Sequence, residues 1–315
     1  MRALFRHTLV LVTALGLWAD APSGTIGEPA EATGRCDARV SSAAALRRAV
    51  NRRARGARIC ISGTIRLRST IEPKDRQTLV GLRGRANIRP VNGVDIAFDL
   101  DKVSGVRIRR LDIAGFRLRA IQCGQNAVIT RNRIHDNRRN GIGGGDCAGV
   151  RIVGNEIDHN GARTHLGYGS GGVKLAGDAD GTTVIRNRVH HNIGNGLWWD
   201  EDARDAFASR NRIYRNTRKG INYEVSGGPA VFRNNVVRWN NRSGHNDSSG
   251  IHVTSSQHVT IVDNVLGHNR NGGILVQHAG GRGFDLEDIL VQDNDLNGDR
   301  LACEDEDEPD IICER

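Results

Sequence analysis

The sequence predicts an all-β solenoid, and three observations carry the prediction. An asparagine recurs at Asn132, Asn155, Asn187, Asn211, Asn235, Asn264 and Asn294, at intervals of 23 to 32 residues. Five residues after each stands a second polar residue: Asn137, Asn160, Asn192, Asn216, Asn240, Asn269 and finally Asp299. A glycine–apolar pair then follows, as in Gly141-Ile142, Gly172-Val173, Gly196-Leu197, Gly220-Ile221, Gly250-Ile251 and Gly273-Ile274. A period near 24 with three short alternating apolar segments calls for three short strands per coil. One coil cannot bury its apolar side alone, whereas stacked coils share a continuous core. About ten coils at ~4.8 Å apiece would give a rod roughly 50 Å long.

Taken in order, the chain divides into four parts. Residues 1–21 have the layout of a secretory signal peptide: Arg2, Arg6 and His7, then an apolar run from Leu9 to Trp18, then Ala19-Asp20-Ala21. That run is short for a membrane span, and nothing later is apolar enough for one. Residues 22–58 hold an N-terminal segment with a helix near Ser42–Arg53, capped by Ser41 or Ser42. Its Ala45, Leu46, Ala49 and Val50 share one face, so it reads as the cap of an open solenoid end. Residues 59–300 carry the coils, beginning with weaker copies such as Ile59-Ile61, Ile65-Leu67, Thr78-Leu79 and Ile96-Phe98. Residues 301–315 form an acidic tail. The asparagines read as stacked turn ladders, since Asn tolerates positive φ and bonds turn backbone.

Six cysteines in an exported chain favour disulfides. They fall as near neighbours, Cys36/Cys60, Cys123/Cys147 and Cys303/Cys313, and sequential pairing is the expectation. The net charge of +9 suits an anionic extracellular partner, although arginine supplies nearly all of the basic residues. Nucleic acid is disfavoured because the basic residues are dispersed and not interleaved with aromatics. No phosphate-cradling loop, HExxH or GxSxG occurs. The chain is expected to be secreted or periplasmic, monomeric, and free of the membrane once the leader is cleaved.

The helix, the Ile61-Ser62-Gly63-Thr64-Ile65 segment and the repeated N-x-[IV]-x-x-N-x-x-x-G-[IL] resemble the right-handed parallel β-helix proteins of the pectate-lyase-like superfamily. The resemblance covers nearly the whole mature chain. It implies a single-stranded right-handed parallel β-helix with an N-terminal capping helix, and most often an activity on extracellular polysaccharide. The pair Gly-Leu-Trp-x-Asp and Gly-Ile-x-x-Glu-x-Ser, ending at Asp200, Glu224 and Ser226, looks like that of an exported subgroup. The chain lacks the Asp-Pro-His-Asp run of alginate epimerases and the Asn-Thr-Asp run of polygalacturonases.

Period-2 alternation points Leu197, Trp199, Ile221 and Tyr223 inward and leaves Trp198, Asp200, Asn222 and Glu224 outward. The outward columns then bring Lys174, Trp198, Asp200, Asn222, Glu224 and His252 onto one face of four consecutive coils. Two insertions bracket this strip, Gly161–Gly169 with His165 and Tyr168, and Asn241–Asp247 with His245. Trp198 offers a flat face for a sugar ring, with Asn222, Tyr168, His165 and His245 as further substrate contacts. Asp200 and Glu224, about 5 Å apart, would suit a retaining glycosidase. Alternatively they bind Ca²⁺ with Asp202, the one cofactor these residues suggest, and His252 or Lys174 abstracts a proton beside a substrate carboxylate. An acidic polysaccharide is the expected partner, with a lyase favoured over a glycoside hydrolase. The alternative is a non-catalytic glycan-binding or surface-adhesion module. His190, His191 and His268 are expected at the surface.

Overall fold

Among the described residues every strand pairs in parallel, and each pairs with the equivalent strand one coil away. The result is three sheets running side by side. Among the described residues the first has 12 strands, from Ala38–Val40 to Ile311–Cys313; the second and third have 9 each, ending at Val265–Gly267 and Leu301–Cys303. The computed structural model describes residues 34–82, 86–162, 169–244, 247–278, 283–305 and 308–314. The expected leader lies outside these residues, as do His165, Tyr168 and His245. From Cys36 onward the chain is one compact unit. Among the described residues no helix is long and apolar enough to cross a membrane.

The asparagines stack as two ladders. Asn211 Nδ2 donates to Asn235 Oδ1 at 3.0 Å, and Asn187 Nδ2 donates to Asn211 Oδ1 at 3.0 Å. The same carbonyl oxygen accepts a backbone N–H, that of Asn187, at 2.9 Å. The second ladder runs likewise through Asn216, Asn240 and Asn269. It ends at Asp299, whose Oδ2 accepts from Asn269 Nδ2 at 2.8 Å. An acceptor-only side chain suits the last rung, because no further coil requires a donor.

Positive φ falls one residue earlier than expected. It belongs to Arg131, Gly154, Arg186, Arg210, Asn234, Asp263 and Asp293 before the first ladder, and to Asp136, His159, His191, Arg215, Trp239 and His268 before the second. That residue turns the corner, which frees the asparagine to point inward. The repeated glycine has a different cause. A Cβ on Gly196 would lie 2.5 Å from the carbonyl oxygen of Gly220, and one on Gly220 would lie 2.5 Å from that of Gly250. The coils stack too closely there for any side chain.

Trp199 and Tyr223 point inward, fully buried against Phe232 at ring separations of 5.4 and 5.7 Å. Their polar ends are satisfied: Trp199 Nε1 donates to Thr182 Oγ1 and the Tyr223 hydroxyl to the Ala203 carbonyl, each at 2.7 Å. The helix, α1 (Ala43–Arg52), is N-capped by Ser42 and buries Leu46, Ala49 and Val50. The disulfides pair sequentially as Cys36–Cys60, Cys123–Cys147 and Cys303–Cys313.

Candidate functional site

The outward column forms in the expected register. Lys174 pairs with Trp198, Trp198 with Asn222, and Asn222 with His252 on adjacent strands of the third sheet. Asp200 and Glu224 end the strands Asn195–Asp200 and Ile221–Glu224. Alternation therefore places six candidate residues together, each supplied by a strand whose inward side chains are locked in the core.

The column is not the open face expected. Trp198 is only 7% exposed, Asn222 is buried, and His252 is 0% exposed. The Lys174 ammonium sits 3.5 Å from the centroid of the Trp198 ring, so Trp198 offers no free stacking face. Lys174 Nζ also pairs with Asp200 Oδ2 at 2.7 Å, and Asn222 Nδ2 donates to Glu224 Oε2 at 2.8 Å. Each carboxylate thus has its own partner. Asp202 turns away: its carboxylate holds Arg204 at 2.8 Å and the Gly227 N–H at 3.1 Å. Positive φ at Glu201 and Asp202 causes this, and so the Asp200–Glu224–Asp202 calcium set does not assemble.

The covered strip contains polar atoms without partners. They are Trp198 Nε1, Asn222 Oδ1, Thr254 Oγ1 and both ring nitrogens of His252. An orphaned buried polar group costs about 1–3 kcal/mol, so such clusters call for a reason other than packing. Lys219 belongs to the same neighbourhood. Its backbone N–H donates to Asn195 Oδ1 at 3.2 Å, and its side chain is nearly buried. Burial pushes its pKa below the ordinary lysine range, against the charges of Glu224, Asp247 and Asp200. The sequence offers Lys219 only as an ordinary surface partner for the acids. It precedes the strand, where alternation no longer says which way a side chain points.

His252 stays neutral. Burial holds its pKa well below 6.5, the Lys219 ammonium adds to this, and the Asp247 backbone opposes it. Unfolding releases an imidazole that binds a proton below pH 6.5, while the native one does not. The unfolded state then binds more protons, and stability falls with pH by up to about 1.4 kcal/mol per pH unit. Urea unfolding between about pH 5 and 8 should show a shallower acid loss for His252→Gln than for the wild-type protein. Equal slopes would mean that the native imidazole is already in water.

The profile described as "right handed beta helix region" matches residues 97–244. The chain is a right-handed parallel β-helix. No curated protein matches it in sequence. Among solved structures, this β-helix is similar to XylC in complex with xylose, at 19% identity and a TM-score of 0.52, over 64% of this chain and 38% of that one. It is similar to the A-module of the Azotobacter vinelandii mannuronan C-5 epimerase AlgE4, at 14% identity and 0.51, over 83% and 94%. A point mutant of the periplasmic alginate epimerase AlgG follows at 15% and 0.50, over 82% and 84%. At such identities the likeness is one of fold.

Proposed function

We propose that this β-helix is an exported enzyme that cleaves an acidic polysaccharide, by abstracting a proton beside a substrate carboxylate. The observation that carries the reading is Lys219, a nearly buried lysine whose pKa burial lowers, beside the half-buried Glu224 and the neutral His252. A general base works best when its pKa lies near the working pH, and burial moves lysine in that direction. In an elimination Lys219 takes the proton, the C–O bond breaks as the double bond forms, and the ammonium returns a proton to the departing oxygen. Lys174 supplies a cation for the substrate carboxylate. His252 is sealed and acts through Lys219. Two structural neighbours are alginate or mannuronan epimerases, and the three disulfides fit an oxidising compartment.

The alternative is a glycan-binding module, favoured by the pairing of Asp200 with Lys174 and of Glu224 with Asn222. One assay separates the two. The purified chain is incubated with uronate-rich and neutral polysaccharides, reading ultraviolet absorbance of unsaturated ends together with reducing sugar. Both signals rising, and both reduced in Glu224→Gln, are expected. Reducing ends alone would mean hydrolysis. Binding with neither signal would overturn the enzymatic reading.

A further inference from the structure

A second polar cluster lies on the second sheet, away from the column described above. Glu156 and Asp158 point the same way from the strand Glu156–Asp158, and His190 stands beside Asp158 in register on the next coil. His190 does not lie at the surface as its place in the sequence implies. It is 7% exposed, packed against the Tyr214 ring at a centroid distance of 4.7 Å. Asp158 is buried as well, at 1%. One potential ligand atom from each of the three lies within 4.8 Å of the other two.

We propose that Glu156, Asp158 and His190 bind a divalent transition ion of the zinc class. His190 Nε2 is buried, makes no hydrogen bond, and lies 3.5 Å from Glu156 Oε1. Two ligands about 2.1 Å from one tetrahedral ion stand about 3.4 Å apart, which matches that gap. The other ring nitrogen is already engaged: His190 Nδ1 lies 2.8 Å from His191 Nδ1. When His190 is the donor there, Nε2 carries the bare lone pair a metal needs, and the second imidazole orients the first.

The Asp158 carboxylate retains capacity. Arg133 reaches Asp158 Oδ1 and Oδ2 at 3.3 and 3.2 Å, and His159 Nδ1 lies 2.7 Å from Oδ2. A carboxylate offers about four lone-pair sites, so these contacts leave room for an ion and act as its outer shell. Arg188 lies 3.4 Å from Glu156 Oε1, and the partial exposure of Glu156 leaves a route for entry. The ion would clip together two coils separated by 32 residues, the longest interval in the asparagine ladder.

The test is calorimetric titration of the chelator-stripped chain with Zn²⁺, and with Co²⁺ read by visible absorption. One ion per chain is expected, with Co²⁺ bands of tetrahedral strength. His191→Ala should keep that stoichiometry and weaken binding about 10- to 100-fold. His190→Gln and Asp158→Asn should abolish it, while His258→Gln, at an exposed histidine paired with Asp288, should leave it unchanged. Far-ultraviolet dichroism verifies that each variant is folded, and Asp158→Asn provides a second reading if His190→Gln is not. Wild-type protein that takes up no Zn²⁺, or binding that survives both ligand substitutions in folded protein, would overturn the proposal.

Discussion

Asn211→Ala is expected to destabilise the fold by about 3–6 kcal/mol, although Asn211 touches no substrate and carries no charge. The side chain joins three coils. Its Oδ1 accepts from the Asn187 backbone at 2.9 Å and from Asn187 Nδ2 at 3.0 Å; its Nδ2 donates to the Val184 carbonyl at 2.8 Å and to Asn235 Oδ1 at 3.0 Å. Alanine removes every one of these bonds and leaves their partners inside a sealed corner. Each orphaned buried group costs about 1–3 kcal/mol, and relaxation recovers only part. Arg212→Ala, at the exposed next residue, should stay within about 0.5 kcal/mol of wild type. Urea unfolding of both variants provides the measurement. A loss below about 1 kcal/mol for Asn211→Ala would mean that the ladder is decorative.

The ladder was legible because its period is carried by residue type. Asn132 through Asn294 repeat where a corner recurs, and the Gly-apolar pairs repeat where coils touch. Register follows from that alignment, so the column Lys174, Trp198, Asn222, His252 could be written down from spacing alone. Face, however, is not exposure. Alternation says that Trp198 and His252 point away from the core, but not that the strip is closed over. The parts bordering it, Gly161–Gly169 and Asn241–Asp247, have no repeat to read. Lys219 is not legible as a site residue for a related reason, standing outside the alternating strand. His190 sits on the outward face of its own sheet, and only the neighbouring coils reveal Tyr214 and Asp158 beside it. Contacts between coils set by insertions and side-chain length are not periodic, and the functional geometry lies there.

Lys219→Met is expected to lower turnover on the substrate polysaccharide by about 100- to 10,000-fold, the usual contribution of a positioned base. Methionine keeps the length of the unbranched side chain in this nearly buried position, so the fold should survive. The decisive comparison is Lys219→Arg. Arginine preserves the positive charge but does not give up its proton, so a base role predicts that it fails as badly as methionine. A role in holding the substrate carboxylate predicts instead that it keeps most of the activity. The pH profile is an independent check. A lysine base acts when deprotonated, so kcat/KM should fall on the acid side, through a midpoint below the ordinary 10.5 because burial disfavours the ammonium. Glu224, Asp247 and Asp200 pull the other way, so Glu224→Gln should move that midpoint further down in whatever activity remains. A midpoint that Glu224→Gln leaves in place, with an active Lys219→Arg, would remove Lys219 from the chemistry and leave the strip as a binding surface.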